Sequence, residues 1–149
     1  MPASGAGTGV KPGFFFEDLS VGQSASMERV VDDALIRQFT ALSGDDNPVH
    51  LDEEYARKTR FGGRIAQGML GATFISAVIG SRLPGHGTIY LSQSLKFLSP
   101  VKIGDVVVTE ATIVELRPDK SRAVLKTICR VGDRVTIEQV LAGHLRALG

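Results

Sequence analysis

Residues 68–83, GMLGATFISAVIGSRL, form the most apolar helical candidate in the chain. The large side chains of Met69, Phe74 and Val78 recur at helical spacing with others of their kind, and small residues fill the positions between them. A helix that is apolar on nearly all sides is buried in a protein core. Because Pro84 and Gly85 interrupt the pattern, we expect one long, buried helix that ends before them.

The chain beyond this helix is rich in Val, Ile, Thr and Leu, which favour strands. Gly132 and Asp133 predict a tight hairpin, and Pro118 with Asp119 predicts another turn. These signals predict four long strands at Thr88–Leu98, Asp105–Leu116, Arg122–Val131 and Arg134–Leu145.

The chain before the long helix contains a short predicted strand, Ser26–Val31, and two predicted helices. Asp32 or Asp33 suits the N-cap of the first helix, which ends at Gly44, and the loop 44–51 separates it from a short helix over 53–58 capped by Asp52. Helices that precede a set of antiparallel strands indicate an α+β fold. A curved sheet wrapped around the long buried helix satisfies this pattern.

The composition is that of one ordinary globular domain. The 149 residues are 43% hydrophobic and 22% charged, and a chain of this length can build a core without staples. Residues 1–13 are rich in Gly, Ala, Ser and Pro, so we expect a flexible tail there and one domain over residues 14–149.

The charges nearly cancel, with 17 Lys and Arg against 16 Asp and Glu. Nucleic-acid-binding domains usually show a basic excess, so no nucleic-acid partner is expected. No apolar stretch approaches the roughly 18 residues of a membrane span, and the N-terminus lacks the pattern of a secretory signal. The single cysteine, Cys129, has no internal partner, which suits a reducing compartment. We expect a cytoplasmic protein with no membrane partner.

The segment 43–50, SGDDNPVH, is the stretch most indicative of chemistry. Asp45 and His50 lie five residues apart, and Pro48 constrains the loop between them. Near neutral pH a carboxylate acts as a base, while an imidazole acts as acid or base. The pair therefore suits the addition or elimination of water. An ordinary turn is the alternative, because Asp, Asn, Gly and Pro also form loops without function.

This segment, with Phe39 and the three residues after it, resembles the hydratase-2 motif of the MaoC-like family, an aromatic residue and a short spacer before S/T-G-D-x-N-P-hydrophobic-H. Gly68-Met69-Leu70 resembles the start of the family's central helix, and Thr88–Phe97 resembles the following strand of short R-specific enoyl-CoA hydratases. The resemblance covers most of the chain. It implies a hot-dog fold, in which an antiparallel sheet wraps a long helix, and a homodimer.

The resemblance implies a catalytic role for Asp45 and His50, which would hold the water that adds across an enoyl thioester. One of the two would take a proton from the water, and the other would supply the proton that reaches Cα. The residues do not indicate which does which. Asn47 matches the asparagine of the motif and would orient the loop or the pair.

Gly68 matches the glycine at the start of the central helix, and its backbone N–H would bind the thioester oxygen. Ser76 matches a serine that contacts the catalytic water in the short hydratases, or else it is a small packing residue. Eight residues of helix would place Ser76 roughly 12 Å from Gly68, deeper in an acyl tunnel. Many relatives have His immediately before the glycine, whereas this chain has Gln67.

We therefore expect an R-specific enoyl-CoA hydratase that adds water reversibly and in syn fashion to a trans-enoyl-CoA, giving an (R)-3-hydroxyacyl-CoA, with no cofactor and no metal. The substrate would be an acyl-CoA, with acyl-ACP as the other carrier. The alternatives are a dehydratase of a branched or dicarboxylic hydroxyacyl-CoA and a non-catalytic acyl-thioester-binding subunit. A thioesterase is less favoured because the hydratase loop is intact.

Four basic residues follow the loop, and they form either a solvated surface or contacts to the phosphates of CoA: Arg57, Lys58, Arg60 and Arg64.

Overall fold

A computed structural model describes residues 13–138 and 143–146 of the chain. In this part of the chain the helices are α1 (Asp33–Ser43), α2 (Pro48–Leu51), α3 (Glu53–Arg57) and α4 (Gly68–Ser81). The strands are β1 (Ser24–Val30), β2 (Ile89–Ser92), β3 (Lys96–Phe97), β4 (Val106–Arg117), β5 (Arg122–Val131), β6 (Arg134–Glu138) and β7 (Gly143–Arg146). Short 3₁₀ turns lie at Phe16–Asp18 and Pro118–Lys120.

These strands form one antiparallel sheet around α4. The main path runs in the order β1-β4-β5-β6-β3, while β7 pairs with both β5 and β2. The core lies between α4 and the inner face of the sheet, where Ile75 and Val78 of the helix join the same cluster as Ile113 and Leu125 of the strands. The predicted α+β hot-dog fold is confirmed.

The small residues of α4 allow close packing against the sheet. A Cβ atom built on Gly71 would lie 2.6 Å from Cδ1 of Ile137, which is too close for a side chain at that position without a shift of Ile137. Helix α4 therefore approaches β6 at this glycine.

The predictions for the start of the chain agree with the structure. The Asp32 carboxylate caps α1 by accepting a hydrogen bond from the Leu35 N–H at 2.8 Å, and Gly44 ends the helix with a left-handed φ of 81°. The Asp52 carboxylate caps α3 in the same way, through the Tyr55 N–H at 3.0 Å. The predicted hairpin at Gly132 joins β5 to β6.

The predicted loop 44–51 is wrong over its last four residues, which form α2. Proline is well suited to the first turn of a helix, because its missing N–H has no partner there and its φ is already helical. The Asn47 carboxamide oxygen caps the turn by accepting from the Val49 N–H at 3.3 Å.

Two other predicted boundaries are also corrected. The predicted strand Thr88–Leu98 divides into β2 and β3, since β2 pairs with β7 whereas β3 pairs with β6. Helix α4 ends at Ser81 instead of Leu83, because the residue before a proline is disfavoured in helical conformation.

The predicted tail over residues 1–13 lies, apart from Gly13, outside the described residues, and the domain boundary there stays a prediction. The predicted strand Arg134–Leu145 contains β6 and β7, with residues 139–142 outside the description. Among the helices of the described residues, none has the length and apolar character to cross a membrane.

The packing predicts unequal effects for two apolar truncations in the sheet. Leu125 is fully buried, whereas Val114 is 44% exposed. Leu125→Ala is expected to lower the free energy of unfolding by about 2–5 kcal/mol because it leaves a cavity. Val114→Ala serves as the control and is expected to change it by about 0.5 kcal/mol or less. Urea unfolding measures both, and equal losses would contradict the assigned core.

Candidate active site

The loop that follows α1 is held by bonds between its own side chains and backbone. The Ser43 hydroxyl donates to the Phe39 carbonyl at 2.7 Å and accepts from the Asp45 N–H at 3.1 Å. The Asp45 Oδ1 atom then accepts from the Asn47 N–H at 3.2 Å. These bonds set the direction of the Asp45 side chain and leave its second oxygen, Oδ2, facing His50. Asn47 caps α2 through its side chain, and its role in orienting the loop or the pair stays a prediction.

Helix α2 places the imidazole of His50 inside the fold. His50 is only 8% exposed, and its Nδ1 atom lies 2.8 Å from the Ile65 carbonyl oxygen. A carbonyl oxygen only accepts hydrogen bonds, so Nδ1 carries the hydrogen. In the neutral imidazole, Nε2 is then an acceptor.

The Nε2 atom of His50 and the Oδ2 atom of Asp45 are 3.8 Å apart. This distance exceeds the roughly 2.7–3.2 Å of a hydrogen bond, and both atoms are acceptors when the imidazole is neutral and the carboxylate is ionised. A water molecule that donates one hydrogen to each atom satisfies both. The geometry therefore supports a water-holding pair, as the sequence motif predicts.

The start of α4 provides hydrogen-bond donors. Gln67 is the N-cap residue and makes no side-chain cap, and within the described residues the N–H groups of Gly68 and Met69 have no backbone acceptor. The positive end of a helix dipole adds to their attraction for negative charge. A Cβ atom at Gly68 would lie 3.0 Å from the Phe97 ring, so the ring packs against this glycine.

His50 and Gly68 line the same cavity, whose volume is about 250 Å³. Arg60 and the half-exposed Phe97 are among its more exposed lining residues. Its buried lining combines the polar residues His50, Gln67 and Thr136 with apolar residues that include Val31, Phe74, Val107 and Ile137.

Arg64 is a site residue that the sequence analysis did not single out from its basic neighbours. Its Nε–H donates to the His50 carbonyl at 2.7 Å, and its NH2 group donates to Asp33 Oδ1 at 2.6 Å. The hydrogen bond from Arg64, followed by the one from Arg37, holds the pKa of Asp33 below its usual value. Arg64 therefore joins the start of α1 to the backbone of α2. No local pattern indicates this contact, because Asp33 lies 31 residues away.

The other three basic residues have different surroundings. Arg57 and Lys58 are exposed and pair with Glu53 and Glu54 at 3.4 and 3.7 Å, which is the solvated surface expected by default. Arg60 lies over the Phe61 ring, 4.9 Å from its centroid, and lines the cavity. Of the four, Arg60 is the one placed to meet a ligand.

Ser76 lies on the exposed side of α4 and does not line the cavity. The position deep in an acyl tunnel that the helical rise predicts for Ser76 is therefore not seen in the single chain. Its contact with the catalytic water stays a prediction.

Gln67 immediately precedes Gly68 at the start of α4. Its side chain is buried, and its Nε2 atom donates to the Ile36 carbonyl at 3.3 Å and to Thr40 Oγ1 at 3.0 Å. Its Oε1 atom is buried and has no hydrogen-bond donor among the described residues. The described part of the chain contains no group of three or more His, Cys, Asp or Glu that could hold a metal ion.

Comparison with known proteins identifies relatives over most of the chain. The family model described as MaoC like domain matches residues 19–137. An (R)-specific enoyl-CoA hydratase from Rhodospirillum rubrum is 50% identical over 124 residues, which are 83% of this chain and 86% of that protein. A 3-hydroxybutyryl-CoA dehydratase from Methylorubrum extorquens is 44% identical over 124 residues, which are 83% of this chain and 79% of that protein.

A solved structure agrees with the sequence relatives. The unliganded R-hydratase PhaJ1 from Pseudomonas aeruginosa matches with a TM-score of 0.86 and 39% identity, covering 91% of this chain and 86% of that chain. The family match, the sequence relatives and this structure lead to one conclusion: the chain belongs to the MaoC-like family.

Proposed function

We propose that the protein is an (R)-specific enoyl-CoA hydratase, a hydro-lyase that adds water reversibly to an enoyl thioester. The observation that carries this proposal is the facing pair of acceptors, Asp45 Oδ2 and His50 Nε2, at 3.8 Å. The names of the relatives support the reaction and the (R) configuration of its product.

In the hydration direction, the water between Asp45 and His50 directs a lone pair of its oxygen toward Cβ of the substrate. The thioester oxygen binds at the Gly68 N–H, in the cavity that His50 also lines. As the oxygen attacks Cβ, the electrons of the double bond move toward the thioester and negative charge develops on its oxygen. One preorganised donor of this kind stabilises a transition state by about 3–4 kcal/mol.

The pair also moves the proton. When the Asp45 carboxyl is ionised and the His50 imidazole is neutral, the two atoms that face the water hold no hydrogen. The proton that reaches Cα is therefore one that the pair has removed from the water. Because one pair on one side of the substrate delivers both the oxygen and the proton, the two add to the same face, which is syn addition.

The cavity supports a neutral, short acyl group. Arg60 is the one cation among the lining residues of the described chain, and it is exposed. The buried lining includes large apolar residues such as Phe74 and Ile137. A dicarboxylic substrate would place a charge against this apolar surface without a partner, which is costly. The cavity volume of about 250 Å³ is larger than that of an engineered apolar cavity of about 150 Å³ that binds benzene. There is room for the thioester and an acyl chain of about six carbons.

Pockets for drug-sized molecules have volumes of about 300–1,000 Å³. Because the carrier of the acyl group is at least that large, it lies outside this smaller cavity. We propose CoA as the carrier, in agreement with the names of the relatives. Arg60 is the residue best placed for a contact with it.

We also propose that the protein is a homodimer. In the described part of the chain, β2 pairs only with β7 and β3 pairs only with β6, so each has an unpaired edge. Side chains on these strands are apolar and exposed, among them Ile89, Leu91 and Phe97. An edge of this kind is normally covered, and a second copy of the sheet would cover it. The cytoplasmic location stays a prediction.

The first prediction concerns the acid–base pair. Asp45→Asn and His50→Ala are each expected to lower kcat for crotonyl-CoA by about 10²–10⁴-fold, because proton transfer to and from the water is lost. Asp46→Asn is the matched control, since Asp46 is exposed and adjacent. Loss of the conjugated thioester absorbance measures the rate, and thermal unfolding checks the fold. Wild-type rates in both variants would show that the pair is wrongly assigned.

The second prediction concerns chain length. The rate constant kcat/KM is expected to be about tenfold or more higher for crotonyl-CoA and trans-hexenoyl-CoA than for trans-dodecenoyl-CoA. Phe74→Ala is expected to raise the value for the longest substrate relative to crotonyl-CoA, because it lengthens the cavity. Phe16→Ala is the control, since Phe16 packs against the core outside the cavity. An unchanged chain-length profile in Phe74→Ala would contradict this acyl site.

The third prediction concerns the dimer. Light scattering during gel filtration is expected to give twice the mass of one chain. Placing Glu at both Ile89 and Leu91 is expected to give monomers, because charges would be buried at the interface. Leu42→Glu on α1 is the control, since Leu42 is 82% exposed. A monomeric wild-type protein would rule out the proposed interface.

A further inference from the structure

Gln67 is a buried polar residue whose contacts join the two halves of the candidate site. The residue is 3% exposed and immediately precedes Gly68 at the start of α4. Its Nε2 atom donates to the Ile36 carbonyl at 3.3 Å and to the Thr40 hydroxyl at 3.0 Å, both on α1. These bonds fasten the N-cap residue of α4 to two successive turns of α1.

The orientation of the amide follows from these partners. The Ile36 carbonyl only accepts hydrogen bonds, so the nitrogen of the amide faces it and the oxygen points elsewhere. That oxygen, Oε1, is buried without a donor among the described residues. A buried acceptor without a donor destabilises the folded state. Gln67 is therefore a poor choice for stability alone.

Thr40 extends the connection toward the acid–base pair. While its hydroxyl accepts from Gln67, its backbone carbonyl accepts from the Gly44 N–H at 2.8 Å. Gly44 is the residue that ends α1, and Asp45 follows it directly in the chain. A continuous series of bonded groups thus runs from the residue before Gly68 to the residue before Asp45.

We propose that Gln67 is a positioning residue that sets the distance and angle between the Gly68 N–H and the Asp45–His50 pair. The inference rests on the proposed function, in which the thioester oxygen binds to Gly68 while the pair holds the water. The addition of water requires the thioester oxygen and Cβ of the enoyl group to be in place at the same time. A displacement of about 1 Å costs about 10²-fold in rate. Gln67 acts through these groups and has no direct part in the proton transfer.

Gln67→Met tests the proposal, because methionine fills a similar space and makes no such hydrogen bonds. We expect kcat for crotonyl-CoA to fall about tenfold to a hundredfold, while KM and the thermal unfolding temperature change little. The stability is expected to hold because the substitution removes the unpaired Oε1 along with the two bonds. Gln38→Met, at an exposed position of α1, is the matched control.

Two further variants separate positioning from packing. Thr40→Val removes the hydroxyl acceptor, and its effect on kcat is expected to be less than additive with that of Gln67→Met because both act on one contact. Gln67→His is expected to restore part of kcat, since an imidazole N–H can donate to Thr40. Full additivity, or a loss of stability that parallels the loss of kcat, would overturn the proposal in favour of a packing role.

Amide hydrogen exchange provides a readout that does not need turnover. Exchange at Gly44, at Asp45 and at Leu70, whose N–H donates to the Gln67 carbonyl at 3.1 Å, is expected to quicken in Gln67→Met and to stay unchanged in Gln38→Met, because the bonds that hold α1 to α4 are lost. Wild-type exchange and wild-type kcat in Gln67→Met would overturn the proposal. An inactive wild-type protein would instead reject the proposed function, and exchange would still decide whether Gln67 holds the two segments together.

Discussion

The hydrogen bond between His50 Nδ1 and the Ile65 carbonyl, at 2.8 Å, is the contact on which the proposed chemistry depends. It places the hydrogen on Nδ1 and leaves Nε2 as an acceptor opposite Asp45. With the other neutral tautomer, Nε2 would carry the hydrogen and could not accept one from a water. The Ile65 carbonyl thereby makes Nε2 and the Asp45 carboxylate two acceptors that one water can bridge.

The fold brings this carbonyl to His50 through packing that has no chemical role of its own. Arg64 binds the His50 carbonyl and Asp33, which fixes α2 against the start of α1. The following residues lead into α4, whose apolar surface is buried inside the sheet. His50 and the start of α4 therefore line one cavity, because the short segment 64–68 joins Arg64, which binds the His50 carbonyl, to the first residue of α4.

Local patterns in the sequence predicted much of this arrangement. The apolar run of α4, the Asp32 cap and the Gly132 hairpin each depend on neighbouring residues alone, and each agrees with the structure. The features that sequence reasoning missed depend on distant partners. Arg64 binds Asp33 across 31 residues, and β2 and β3 are separate because they pair with different strands, β7 and β6. The cavity could not be predicted either, because its lining residues are spread from Val31 to Ile137 and no single segment contains them.

The central claim is that one pair on one side of the substrate delivers both the oxygen and the proton of water. Hydration of crotonyl-CoA in deuterium oxide tests it most directly, with the relative configuration at C2 and C3 of the product read by NMR. If the pair delivers both groups, the product is a single diastereomer with (R) configuration at C3 and with deuterium added to the same face as the hydroxyl. Deuterium on the opposite face, or a mixture at C2 formed during turnover, would contradict it.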